Sequence, residues 1–132
     1  MDKWIFILLL GGISFASFGQ ETWGFEEGDT TFVMQKYFMS FLLSGTEKSA
    51  NDEEAAILQQ AHLDHMSALA EKGIIAIAGP FEGGEEYIGI VIYTTATIEE
   101  AITYQEQDTL IQRNILTYRM IPWWAAKGSK LP

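Results

Sequence analysis

His62 and His65 are the two histidines of the chain. Imidazole is the side chain that titrates near neutrality without help, so a histidine beside a carboxylate is a ready general acid or base. Three residues apart on a helix, the two rings are neighbours on one face. They share a stripe with Ala55, Leu58, Ala61 and Leu69, and that stripe points towards the core. Three readings stay open from the residues alone. The rings are core-edge groups bonded to backbone or hydroxyls, or one of them moves protons, or both await a carboxylate to hold a metal. His-x-x-His is a weak metal signal without the Glu of His-Glu-x-x-His. A buried ring without a partner costs about 1–3 kcal/mol, so partners are expected in every case. Asp108 is the carboxylate of interest. It precedes Thr109-Leu110-Ile111-Gln112, a segment able to form a helical turn, and is placed to cap it. Amides that hold one carboxylate oxygen also fix the other, so capping and chemistry are compatible.

The composition narrows the field. At 132 residues, with 48% hydrophobic and 13% aromatic side chains, the chain fits one domain with ample core material. There is no cysteine, which removes disulfides, thiol nucleophiles and thiolate metal sites. The formal charge of −10, with no basic stripe, argues against nucleic acid and against anionic lipid surfaces. Residues 1–19 read as a cleavable signal peptide. Lys3 precedes an uncharged apolar run, and Ser17 and Gly19 stand at −3 and −1 of a cut before Gln20. An exported protein (periplasmic or extracellular) is expected, without stable membrane association after cleavage. Residues 20–31, acidic and without a clear period, are expected as a loose lead-in.

The elements that must position the candidates follow in residues 32–128. Residues 32–43 form a strand that is apolar on both faces. Asn51 and Glu54 open a helix with an acidic first turn, and Gly73 ends it. Residues 74–78 are a short strand broken by Gly79-Pro80, and residues 87–93 are the next. Thr97 and Glu100 form a capping box for a second helix over about 99–107. Residues 115–121 make the last strand, closed by Pro122. The order β-α-β-β-α-β is the ferredoxin-like α+β arrangement, with helices on one sheet face. The other face, apolar along the first strand, is expected to be covered by a second copy in a homodimer.

From Lys36 onward the chain resembles the YciI-like (YCII-related) proteins, particularly a small exported branch. The resemblance runs over residues 36–128. It is carried by Leu58-Gln59-Gln60-Ala61-His62-Leu63-Asp64-His65-Met66, Ile77-Ala78-Gly79-Pro80-Phe81, Thr97-Ile98-Glu99-Glu100-Ala101, Asp108 and Ile121-Pro122-Trp123-Trp124. It implies a dimeric α+β barrel with a cleft beside the first helix and a catalytic pair, His62 and Asp108. Ser40, His65, Gly79, Pro80 and Phe81 are the candidate substrate-binding residues, with His65 expected chiefly in a structural contact. Two positions depart from the family pattern. Thr109 replaces the usual Pro after the aspartate, and Asn114 stands where a Gly is common.

The function expected from all of this is general acid/base catalysis on a small organic molecule, as a cofactor-independent isomerase or lyase. Neither a cofactor nor a metal is expected. The alternative is a non-catalytic ligand-binding or interaction module.

Overall fold

The structure is a computed structural model, and it describes residues 19–132. The expected leader therefore lies outside the described residues, apart from Gly19. The elements are β1 (Thr22–Glu27), β2 (Thr30–Ser44), α1 (Asp52–Glu71), β3 (Ile75–Pro80), β4 (Tyr87–Tyr93), α2 (Ile98–Gln105), α3 (Thr109–Gln112) and β5 (Leu116–Ala126). All strand pairings are antiparallel. β2 pairs with β4 and β5, β3 pairs with β4, and β1 pairs with the first half of β2. Among the described residues the fold is thus α+β, one antiparallel sheet with three helices.

The two-sided character of β2 explains its central place. Phe38 and Leu42 pack with Val91 and Tyr93 of β4 and Leu116 of β5 against Leu58 and Leu69 of α1, Ala101 of α2 and Leu110 of α3. These residues form the core between sheet and helices. The alternate β2 residues Tyr37, Met39 and Phe41 point the other way. Their neighbours across the ladder are Trp123, Ile121 and Ile92, with Ile77 beyond on β3. On that side Ile77, Ile121 and Trp123 are each 41% exposed.

α1 begins as its sequence dictates. Asn51 Oδ1 accepts the Glu54 amide at 2.9 Å, and Glu54 Oε2 accepts the Ala50 amide at 2.6 Å. The Glu54 carboxyl is held below its ordinary value, first by that amide and then by Arg113, whose guanidinium lies 2.5 Å away. At the other end Gly73 takes φ +72°, and the Ile74 amide reaches back to the Leu69 carbonyl at 2.9 Å, closing the helix.

Three expectations need correction. Residues 20–31 are no loose lead-in. Trp23 and Phe25 stand two apart on β1, and a turn with Gly28 at φ +62° folds β1 onto β2. Phe25 stacks on Phe32 with ring centroids 5.1 Å apart. The alternation of these aromatics was the strand signal, masked by the acidic residues around them. Likewise β3 continues through Gly79-Pro80, and β5 continues past Pro122 to Ala126. Each strand is paired on one side only, so a proline lacking its N–H is tolerated at the sheet edge.

Candidate active site

α1 sets His62 against the segment joining α2 to α3. His62 Nδ1 lies 2.5 Å from Asp108 Oδ2, the His62 side chain being 12% exposed and that of Asp108 0%. The second carboxylate oxygen, Oδ1, accepts the Leu110 amide at 3.0 Å, so Asp108 is the N-cap of α3. Its own amide donates to the Gln105 carbonyl at 3.2 Å, and its carbonyl accepts the Gln112 amide at 2.9 Å. The capping turn thus holds the backbone of Asp108 by two bonds and its carboxylate by one. A buried carboxylate is costly unless hydrogen-bonded, and here an amide and an imidazole satisfy it.

Thr109 and Asn114, the two residues that depart from the expected pattern, fit this turn. Thr109 is the first residue of α3, and Asn114 adopts φ +55°, the left-handed conformation that a glycine would otherwise supply.

The tautomer follows from the partner. A carboxylate accepts, so Nδ1–H donates to Asp108, and in the neutral ring Nε2 then carries the lone pair. Among the described residues no group hydrogen-bonds Nε2 of His62. His65 has the opposite arrangement. Its Nε2 lies 2.9 Å from the Tyr104 carbonyl, an acceptor, so Nε2–H donates and ties α1 to α2.

Behind the pair lies a polar layer that the sequence did not flag. The hydroxyl of the fully buried Tyr93 donates to Gln105 Oε1 at 3.1 Å. Burial, and then the negative charge of Asp108, push the Tyr93 hydroxyl pKa upward, so it remains a donor. Ser40 Oγ and Gln105 Nε2 are buried without a partner among the described residues. In the sequence Tyr93 looks like one more aromatic of a buried strand, and Gln105 like an outer helical residue.

On the opposite side of the pair is a cleft of about 610 Å³ between α1 and the β3–β4 side of the sheet. His62, Leu63 and Met66 line it from α1, Ala78, Gly79 and Pro80 from β3. Of the candidate residues, His62, Gly79 and Pro80 face this cleft. Ser40 is buried in the sheet, and His65 is engaged with Tyr104. Phe81 lies just past the lining, 41% exposed. Asp108 reaches the cleft through His62. Among the described residues no three His, Asp or Glu side chains converge as metal ligands.

No family model and no curated protein sequence matches the chain. Among solved structures, the chain is similar to 5-chloro-2-hydroxyhydroquinone dehydrochlorinase (TftG) from Burkholderia phenoliruptrix AC1100, in complex with 2,5-dihydroxybenzoquinone. The likeness has a TM-score of 0.51 and 16% identity, covering 66% of this chain and 92% of the other. At that distance what the two proteins share is the fold, an α+β domain built on an antiparallel sheet.

Proposed function

We propose that the chain is an exported YciI-like protein whose cleft binds a small organic molecule and moves a proton on it. The observation that carries this reading is a conjunction. One imidazole is held by a buried carboxylate at 2.5 Å and lines an apolar cleft of about 610 Å³. With Nδ1–H committed to Asp108, the Nε2 lone pair of His62 removes a proton from the substrate. Asp108 stabilises the imidazolium so formed, which then returns the proton at another atom (isomerase) or to a departing group (lyase). The dehydrochlorinase activity named for the structural neighbour is in keeping with such chemistry, by analogy of fold.

A second reading, the non-catalytic binding module, draws on one observation. Among the described residues that line the cleft, only His62 has its polar group fixed by a buried partner, and Ser49, Gln59 and Ser67 are held by no hydrogen bond that would preorganise them as an oxyanion site. The two readings separate in D₂O. Wild-type protein is incubated with a panel of phenols and enolisable cyclic ketones, and deuterium uptake at carbon is followed by mass spectrometry. Acceleration by the wild type is expected, reduced by roughly 10²–10⁴-fold in His62→Gln. Binding of panel compounds with no acceleration at all would put the module ahead. Export, the other half of the proposal, is checked by the intact mass of the secreted chain, which should lack residues 1–19.

A further inference from the structure

We infer that the cleft accepts an uncharged, mostly apolar molecule bearing one hydroxyl that donates to His62 Nε2, a phenol- or enol-type compound and not a carboxylate or phosphate. This deepens the proposed function and rests on its placing of the ligand beside His62. Three observations carry it.

The first is the lining. None of the described residues around the cleft is Asp, Glu, Lys or Arg. Leu63, Met66, Ile88, Val91, Leu110 and Leu116 present hydrocarbon, and the polar lining beside His62 is uncharged: Gln59 and Ser67, exposed residues of α1, and the half-buried Ser49. An anion entering here loses water and meets no cation, a cost that a neutral apolar molecule does not bear. The second is the tautomer. With Nδ1–H given to Asp108, Nε2 of the neutral ring is an acceptor, and a ligand whose polar end donates is its match. The Asp108 charge lies on the far side of the ring and repels an anion that approaches Nε2 from the cleft. The third is the whole-chain charge of −10, which lowers the local concentration of anions and leaves neutral molecules unaffected.

The test uses wild-type protein and three probes of matched shape: 4-propylphenol, its methyl ether 4-propylanisole, and 4-propylbenzoate. Each is titrated near neutral pH, with calorimetry for affinity and the ¹⁵N resonances of the His62 ring for location. The expected result is that the phenol binds about tenfold or more tightly than both others and shifts Nε2 of His62. Equal or tighter binding of the benzoate overturns the inference, as does an anisole that matches the phenol. Failure of all three to move the His62 resonances up to their solubility overturns it too. The outcome is separable from that of the deuterium experiment. Phenol selectivity without deuterium exchange leaves the ligand class standing and removes the acid/base role. Exchange on a carboxylate substrate through His62 removes the ligand class and leaves the role.

Discussion

The two oxygens of Asp108 are divided between fold and chemistry. Oδ1 caps α3 through the Leu110 amide, and Oδ2 meets the His62 ring. Because the cap holds the carboxylate in place, the ring is oriented without a long, entropically costly side chain on either side. Replacing the carboxylate by an amide keeps the volume but not the demand for a proton on Nδ1. In Asp108→Asn the amide NH₂ is free to donate to Nδ1, which moves the ring proton to Nε2 and blocks the base. Proton exchange in D₂O should fall about 10²-fold or more in this variant while its circular dichroism stays that of the wild type. An Asn variant as active as the wild type would mean that Asp108 is a cap and nothing else. This pair was legible in the sequence through the resemblance to YciI-like proteins, which selects His62 and Asp108; the helical stripe and the cap position placed each residue but did not by themselves join them. Tyr93 and Gln105 were not, since a buried hydroxyl–amide contact leaves no spacing or periodicity in the chain.

At the scale of elements, the helices are where local rules were sufficient. Asn51 and Thr97 cap α1 and α2 as their box patterns require, and Gly73 stops α1. The strands were harder. Proline and acidic residues, read locally, end a strand or loosen a segment, but an edge position makes a missing N–H harmless and a partner strand recruits alternating aromatics. Neither fact exists until the sheet is assembled. The start of α1 also carries a pH dependence. The Glu54 carboxyl is held below its ordinary value of 4.5 in the folded chain. A depressed folded-state value means that its stabilisation is present above that ordinary value and is lost as pH falls through the folded one. Glu54→Gln should therefore lower the melting temperature near neutrality, with the gap to wild type closing as the solution is acidified through that range. A gap of constant size at every pH would assign the effect to packing. Asn51→Ala, which removes the uncharged half of the same box, should cost about 1 kcal/mol at any pH.

At the scale of the whole molecule, the sheet has one face under helices and one that no helix covers among the described residues. Ile77, Ile121 and Trp123 stand exposed on the latter beside Tyr37 and Met39. Ser129, Lys130 and Leu131 border a hollow of about 300 Å³ near Tyr37 and Trp123. We propose that a second copy covers this face, as in a dimeric α+β barrel, because a continuous apolar surface of this kind is poorly tolerated in water. Light scattering at micromolar concentration should give twice the chain mass. Ile121→Asp, which would place a charge in the apolar contact, should weaken the dimer by roughly 100-fold or more. A wild-type monomer at those concentrations would count against the barrel and leave the apolar face without its expected cover.

The central claim is that His62 is held with Nδ1–H inward on Asp108 and Nε2 open to the cleft. Side-chain ¹H–¹⁵N correlation spectra of uniformly ¹⁵N-labelled protein read this directly, because His65 serves as an internal contrast. Opposite tautomers are expected near neutral pH: Nδ1–H for His62, with a strongly downfield, exchange-protected proton that disappears in Asp108→Asn, and Nε2–H for His65, unaffected by that substitution. Two histidines with the same tautomer, or a His62 ring that averages between both and ignores the loss of Asp108, would contradict it.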